Sequence, residues 1–199
     1  MNTMIQRSNL KSEKSWTLLL LFLAMAATRF HHEGTAFALP DASLAVFFLA
    51  AFFLKGSLRV FLALLAWAFL IDALALTAMG VDSYCFSPAY VFLIPTYAVM
   101  WFAGNYFLKL PFKSFSCYVP ALAFAIFISS TLAFLISNGS FFWFSGKVSA
   151  VSFIEYAVGL SGDYLPYTGA TVFYAFFGIG MDALLRNLSN IRSSQPAKF

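Results

Sequence analysis

The run VFLALLAWAFLIDALALTAM, from Val60 to Met79, decides the fold class. A helix of this length rises about 30 Å, the thickness of the hydrocarbon core of a bilayer. Its only ionisable residue is Asp72, and a carboxyl group at membrane depth is costly unless it meets a partner, water or a ligand. The run ends in GVDSYCFSPAYVF, Gly80 to Phe92, where a short polar turn carries Tyr84 and Cys85 and is followed by Tyr90.

Working outward, the whole chain has the same character. It has 199 residues, of which 61% are hydrophobic and only 10% charged, against about 25% charged in a soluble domain. The composition predicts an all-α integral membrane protein, one domain over residues 1–199, with room for six spans and no separate soluble domain. The net charge of +4 does not indicate nucleic acid, because Lys and Arg stand at the ends of apolar runs and form no patch with interleaved aromatics. The partner that this pattern implies is the lipid bilayer.

Six apolar runs are expected: Trp16–Phe30, Ala42–Leu54, Val60–Met79, Ala89–Leu108 with a kink at Pro95, Phe115–Ile136 and Tyr167–Leu185. The second is short for a span. Between the fifth and sixth, the connection from Ser137 to Pro166 carries an apolar piece, Val148–Leu160, suited to lying at the surface or dipping into the membrane. The first run resembles a signal peptide, but Arg29-Phe30-His31-His32-Glu33 is a poor cleavage site, so it is read as a retained helix. Together the runs predict a compact six-helix bundle over 16–188, preceded by a polar segment, 1–15, and followed by a flexible tail, 189–199.

An even number of spans puts both termini on one side. Arg7, Lys11, Lys14, Lys55, Arg59, Lys109, Lys113, Arg186, Arg192 and Lys198 fall on that side, while the other keeps Arg29 and Lys147 among five acids. By the positive-inside rule the termini are cytoplasmic. Cys85 and His31-His32-Glu33 then belong to the outer face and Cys117 to the inner, so no disulfide is expected.

The candidate residues each have a plain alternative. His31 and His32 are adjacent, so on a helix they point to different sides, unlike the i, i+4 pair of a zinc helix; they read as an interfacial segment or as part of a ligand lid. Asp72 is either ionised with a partner or a protonated, hydrogen-bonded carboxyl. Asp182 stands four residues before Arg186, and an i, i+4 pair accounts for it. Cys85 is either a small apolar residue or, with a soft or borderline metal to stabilise the thiolate, a ligand. Tyr84, Tyr90, Tyr156, Tyr164 and Tyr167 suit an interfacial aromatic belt, and equally a large flat ligand with polar edges.

ALPDASLAVFF after the first helix, the intramembrane Asp72, and Cys85 followed five residues later by Tyr90 resemble the BtuM family of bacterial cobalamin transporters. That family is related to the substrate-binding S-components of energy-coupling factor (ECF) transporters. The resemblance spans about Trp16 to Arg186. It implies an inner-membrane uptake protein that takes cobalamin at its outer face, with Cys85 as axial cobalt ligand, Asp72 and Tyr90 near the bound molecule, and displacement of cyanide from cyanocobalamin. Tyr84, His31 and His32 complete the set of candidate contacts. One departure concerns partners: S-components dock on a shared ECF energising module through AxxxA in the first helix, whereas LFLAMAATRF offers only Ala24 and Thr28 at that spacing. Two rival readings stay open, a membrane enzyme pairing Cys85 with His31 or His32 and a scaffold subunit without ligand.

Overall fold

The computed structural model describes residues 2–29, 39–78, 87–111, 114–148 and 150–194. Among them are seven α-helices and one 3-10 helix, and no strand. The helices are α1 (Asn2–Arg29), α2 (Ser43–Leu54), α3 (Leu58–Ala78), the 3-10 helix Pro88–Phe92, α4 (Leu93–Phe107), α5 (Phe115–Phe144), α6 (Phe153–Gly159) and α7 (Ser161–Ser194). Among the described residues, three stretches are long and apolar enough to cross a membrane: Leu58–Thr77, Ser116–Phe144 and Ser161–Leu188.

The short second run is the centre of the bundle. SLAVFFLAAFFL is apolar all round, and a helix with no polar face suits either a protein core or lipid; too short for a span, this one is enclosed by its neighbours. Every residue of α2 except Phe52 and Phe53 is buried, and the helix packs against α1, α3, α4 and α7. Its closest neighbour is α4, where a Cβ added to Gly104 would stand 2.4 Å from the Phe48 carbonyl oxygen. The helix stops at Lys55, whose φ of 59° is left-handed, followed by Gly56 at 64°. At Gly56 a side chain would also strike Asn105 of α4, 2.7 Å away.

From this centre a chain of rings climbs toward one end of the bundle. Trp101 meets Phe61 edge-on at 5.4 Å, Phe61 meets Phe47 at 5.5 Å, and Phe47 stacks on Tyr97 at 4.3 Å. The two edge-on separations are within the favourable range for aromatic pairs, and the Phe47–Tyr97 stack is slightly closer. The ladder holds α2, α3 and α4 together and delivers the Tyr97 hydroxyl to the polar cluster described below.

Several boundaries differ from those expected. Pro95 was expected to kink a helix, yet it is the third residue of α4, where a missing backbone N–H costs no intrahelical bond. The fourth run is instead divided into the 3-10 helix and α4, about 10 Å and 22 Å long, which together match a bilayer core. α5 continues eight residues past Ile136. Asn138 and Ser140, which look like breakers, donate from their side chains to the Phe134 and Ser137 carbonyls, at 3.0 and 2.8 Å. The added turns pack on α6 through Phe142–Phe153 and Trp143–Phe153. α1 extends through 2–15 and α7 runs to Ser194, into the stretch expected to be a tail.

Candidate functional site: a buried arginine shared by two carboxylates

The site begins where α1 ends. The Thr28 hydroxyl donates to the Ala24 carbonyl at 2.9 Å and accepts from the Ala42 backbone N–H at 3.1 Å, so the end of α1 is tied to the entry of α2. Arg29, the last residue of α1, is turned into the bundle and is only 6% exposed.

A guanidinium group is a planar fork of five N–H donors that fits a carboxylate with two parallel bonds. Arg29 makes that fit with Asp72 of α3: Nε donates to Oδ1 and Nη2 to Oδ2, both at 2.6 Å. Its Nη1 faces three acceptors, the Tyr97 hydroxyl at 2.7 Å, Ser43 Oγ at 3.0 Å and Asp41 Oδ2 at 3.2 Å. Asp41 in turn accepts from the Ser43 backbone N–H at 2.9 Å and from the Ser43 hydroxyl at 2.6 Å, which fixes the first turn of α2. The Tyr90 hydroxyl donates to Asp72 Oδ2, and the Tyr90 ring lies 5.2 Å from Phe69.

One guanidinium therefore joins α1, the entry of α2, α3 and α4, and through Asp72 the 3-10 helix. The Arg29–Asp72 pair answers the question posed by Asp72, whose partner is cationic and comes from another helix. Asp72 is 9% exposed, whereas the Asp41 side chain is 43% exposed, so the second carboxylate stands at the mouth of the cluster. Beside it, an apolar cleft of about 350 Å³ opens between Leu39–Pro40 and Leu165, Gly169 and Phe173 of α7.

Of the expected contact residues, Asp72 and Tyr90 are brought together. Cys85, Tyr84, His31 and His32 lie outside the described residues. The remaining tyrosines of the expected belt are engaged with protein: Tyr156 donates to the Asn138 carbonyl, Tyr164 shares a hydrogen bond with Thr131, and Tyr167 meets Phe134 edge-on. Among the described residues, no three His, Cys, Asp or Glu side chains form a metal cage. Asp182 accepts from Arg186 Nε at 2.7 Å, the local pair expected from their spacing. Cys117 is free and exposed at the start of α5.

Arg29, Tyr97, Asp41 and Ser43 were missing from the sequence-based set. A signal for Arg29 was present. A buried carboxylate needs a cation, and on its own side of the charge pattern the chain offers only Arg29 and Lys147. Compared against protein families and curated proteins, the chain finds no match in either.

Proposed function

We propose that the protein is a multi-pass, cobalamin-binding uptake protein of the bacterial inner membrane, similar to the S-components of ECF transporters. In this reading six crossings leave both termini in the cytoplasm, the corrin binds at the outer end of the bundle, and Cys85 is the axial cobalt ligand. The observation that carries it is the bond between Tyr90 and Asp72. Those two residues flank the Cys85 turn in sequence, belong to different elements, and are drawn to the same buried cluster at one end of the bundle. That end is opposite Lys55, Arg59 and Lys109, which follow α2, open α3 and follow α4. This supports an outward orientation for the cluster.

The thiolate of Cys85 supplies an electron pair to cobalt, and cyanide leaves with the pair it had shared, so the exchange needs no oxidant or reductant. The apolar cleft and the half-exposed Asp41 offer the kind of surface that a corrin rim needs, methyl-rich with carboxamide donors. A shared energising module is not part of the proposal. Thr28, the residue spaced four from Ala24, is buried and spends its hydroxyl on backbone groups.

The visible spectrum of detergent-purified protein tests the reading, after incubation with cyanocobalamin and removal of excess. Retained colour with a cobalt-thiolate spectrum is expected, and Cys85→Ala should abolish that spectrum while leaving weak binding through the corrin rim. Folded wild-type protein that comes through colourless would defeat the proposal.

A further inference from the structure

Tyr90 sits on a 3-10 helix of five residues, which offers little backbone support of its own. Its backbone N–H bonds to the Ser87 carbonyl at 2.9 Å, and the segment leans on α5 through Phe92, stacked on Phe144 at 4.9 Å. The Tyr90 ring also lies 5.2 Å from Phe69 of α3. Its hydroxyl donates to Asp72, and Asp72 is held at both oxygens by Arg29.

A buried ion pair is a poor way to gain stability, since an apolar pair of similar volume often serves as well. What a fork-to-fork pair adds is direction: it fixes the carboxylate plane, and with it the acceptor that Tyr90 addresses. An ammonium group at the same place keeps the charge and loses that constraint. Nη1 extends the same control to Asp41 at the mouth and to the buried Ser43, so both are registered against a single side chain.

We propose that Arg29 is a positioning residue, which acts through Asp72 to hold the Tyr90 hydroxyl in the orientation that receives the ligand. This rests on the reading of the site given above. Two variants separate positioning from simple support. Arg29→Lys keeps the charge without the fork. Arg29→Met/Asp72→Asn removes both buried charges and leaves Tyr90 an amide acceptor that nothing clamps.

The readouts are the thermal midpoint, cyanocobalamin affinity, and the 19F NMR line of 3-fluorotyrosine placed at Tyr90 alone. In both variants the 19F line should shift or broaden and affinity should fall about tenfold, the loss expected for one well-placed hydrogen bond. In the double variant this should occur with a midpoint close to wild type. A double variant that regains wild-type affinity and an unmoved 19F line together with stability would reduce Arg29 to a support and overturn the proposal. An unmoved line in Arg29→Lys would do the same, and that variant decides if the double variant fails to fold. The 19F comparison needs no ligand, so wild-type protein that fails to bind cyanocobalamin would remove the function while leaving the positioning question answered.

Discussion

At the scale of single residues, the consequence of the Arg29–Asp72 pair is an ordering of substitutions at Asp72. Asp72→Leu leaves Nε and Nη2 of a buried guanidinium without an acceptor, a loss of up to about 3–5 kcal/mol when one partner of a buried pair is removed. Asp72→Asn keeps one carbonyl oxygen for those donors, so its cost should be clearly smaller. Thermal midpoints of the two purified variants check this, and equal losses would show that the charge itself is required. Asp72 was legible from sequence because one carboxyl in an apolar run is conspicuous. Its partner was legible only by elimination within the charge pattern, because Arg29 lies 43 residues away and looks like an ordinary charge at a helix end. Tyr97 and Ser43 were hidden more deeply: nothing about a tyrosine or a serine in an apolar run says that its hydroxyl meets a guanidinium.

At the scale of elements, α2 and α4 approach so closely that Gly104 has no room for a side chain. Gly104→Ala would gain helix propensity of about 1 kcal/mol in an open helix, but its methyl group would meet the Phe48 carbonyl at 2.4 Å. Because that neighbour is backbone in a buried helix, the clash must win, and the variant should unfold at a clearly lower temperature. A raised midpoint would disprove the close crossing. α6 carries a different device, a capping box in which Ser152 and Glu155 satisfy each other's backbone N–H groups. Those bonds to Ser152 hold the Glu155 carboxyl below its usual range. A carboxylate with a lowered folded pKa lends support above its unfolded value and loses it as the pH falls through the folded one. Amide exchange in α6 should therefore quicken on acidification below about pH 4.5, and Glu155→Gln should remove that pH dependence. The six apolar runs located six of the seven α-helices among the described residues, and the apolar piece Val148–Leu160 held the seventh, α6, because length and hydropathy are local properties. The ends of α5 and α7 and the role of Pro95 were not local: side chains that bond back to helix carbonyls, or a proline lying in a first turn, are set by where a helix begins.

At the scale of the whole molecule, the bundle is organised as a polar cluster at one end and a collar of lysine and arginine at the other, with an enclosed apolar helix between them. α2 is about 18 Å long, too short to cross a bilayer alone, and it has no need to, because its neighbours shield it from lipid. On the proposed orientation the cluster end faces outward, and the two cysteines test this independently of any spectrum. Cys117 is exposed in the first turn of α5, just past Lys109 at the collar end. A membrane-impermeant maleimide added to intact cells with a permeabilised outer membrane should therefore leave Cys117 unmodified and label Cys85, with Cys85→Ser as the control for the site of labelling. Cobalamin bound through the same sulfur should then protect Cys85, because a thiolate that donates to cobalt has no free pair for the maleimide and the corrin covers its approach. Labelling of Cys117 in place of Cys85 would invert the orientation. Labelling of Cys85 undiminished by saturating cobalamin would keep the orientation and remove Cys85 as the cobalt ligand.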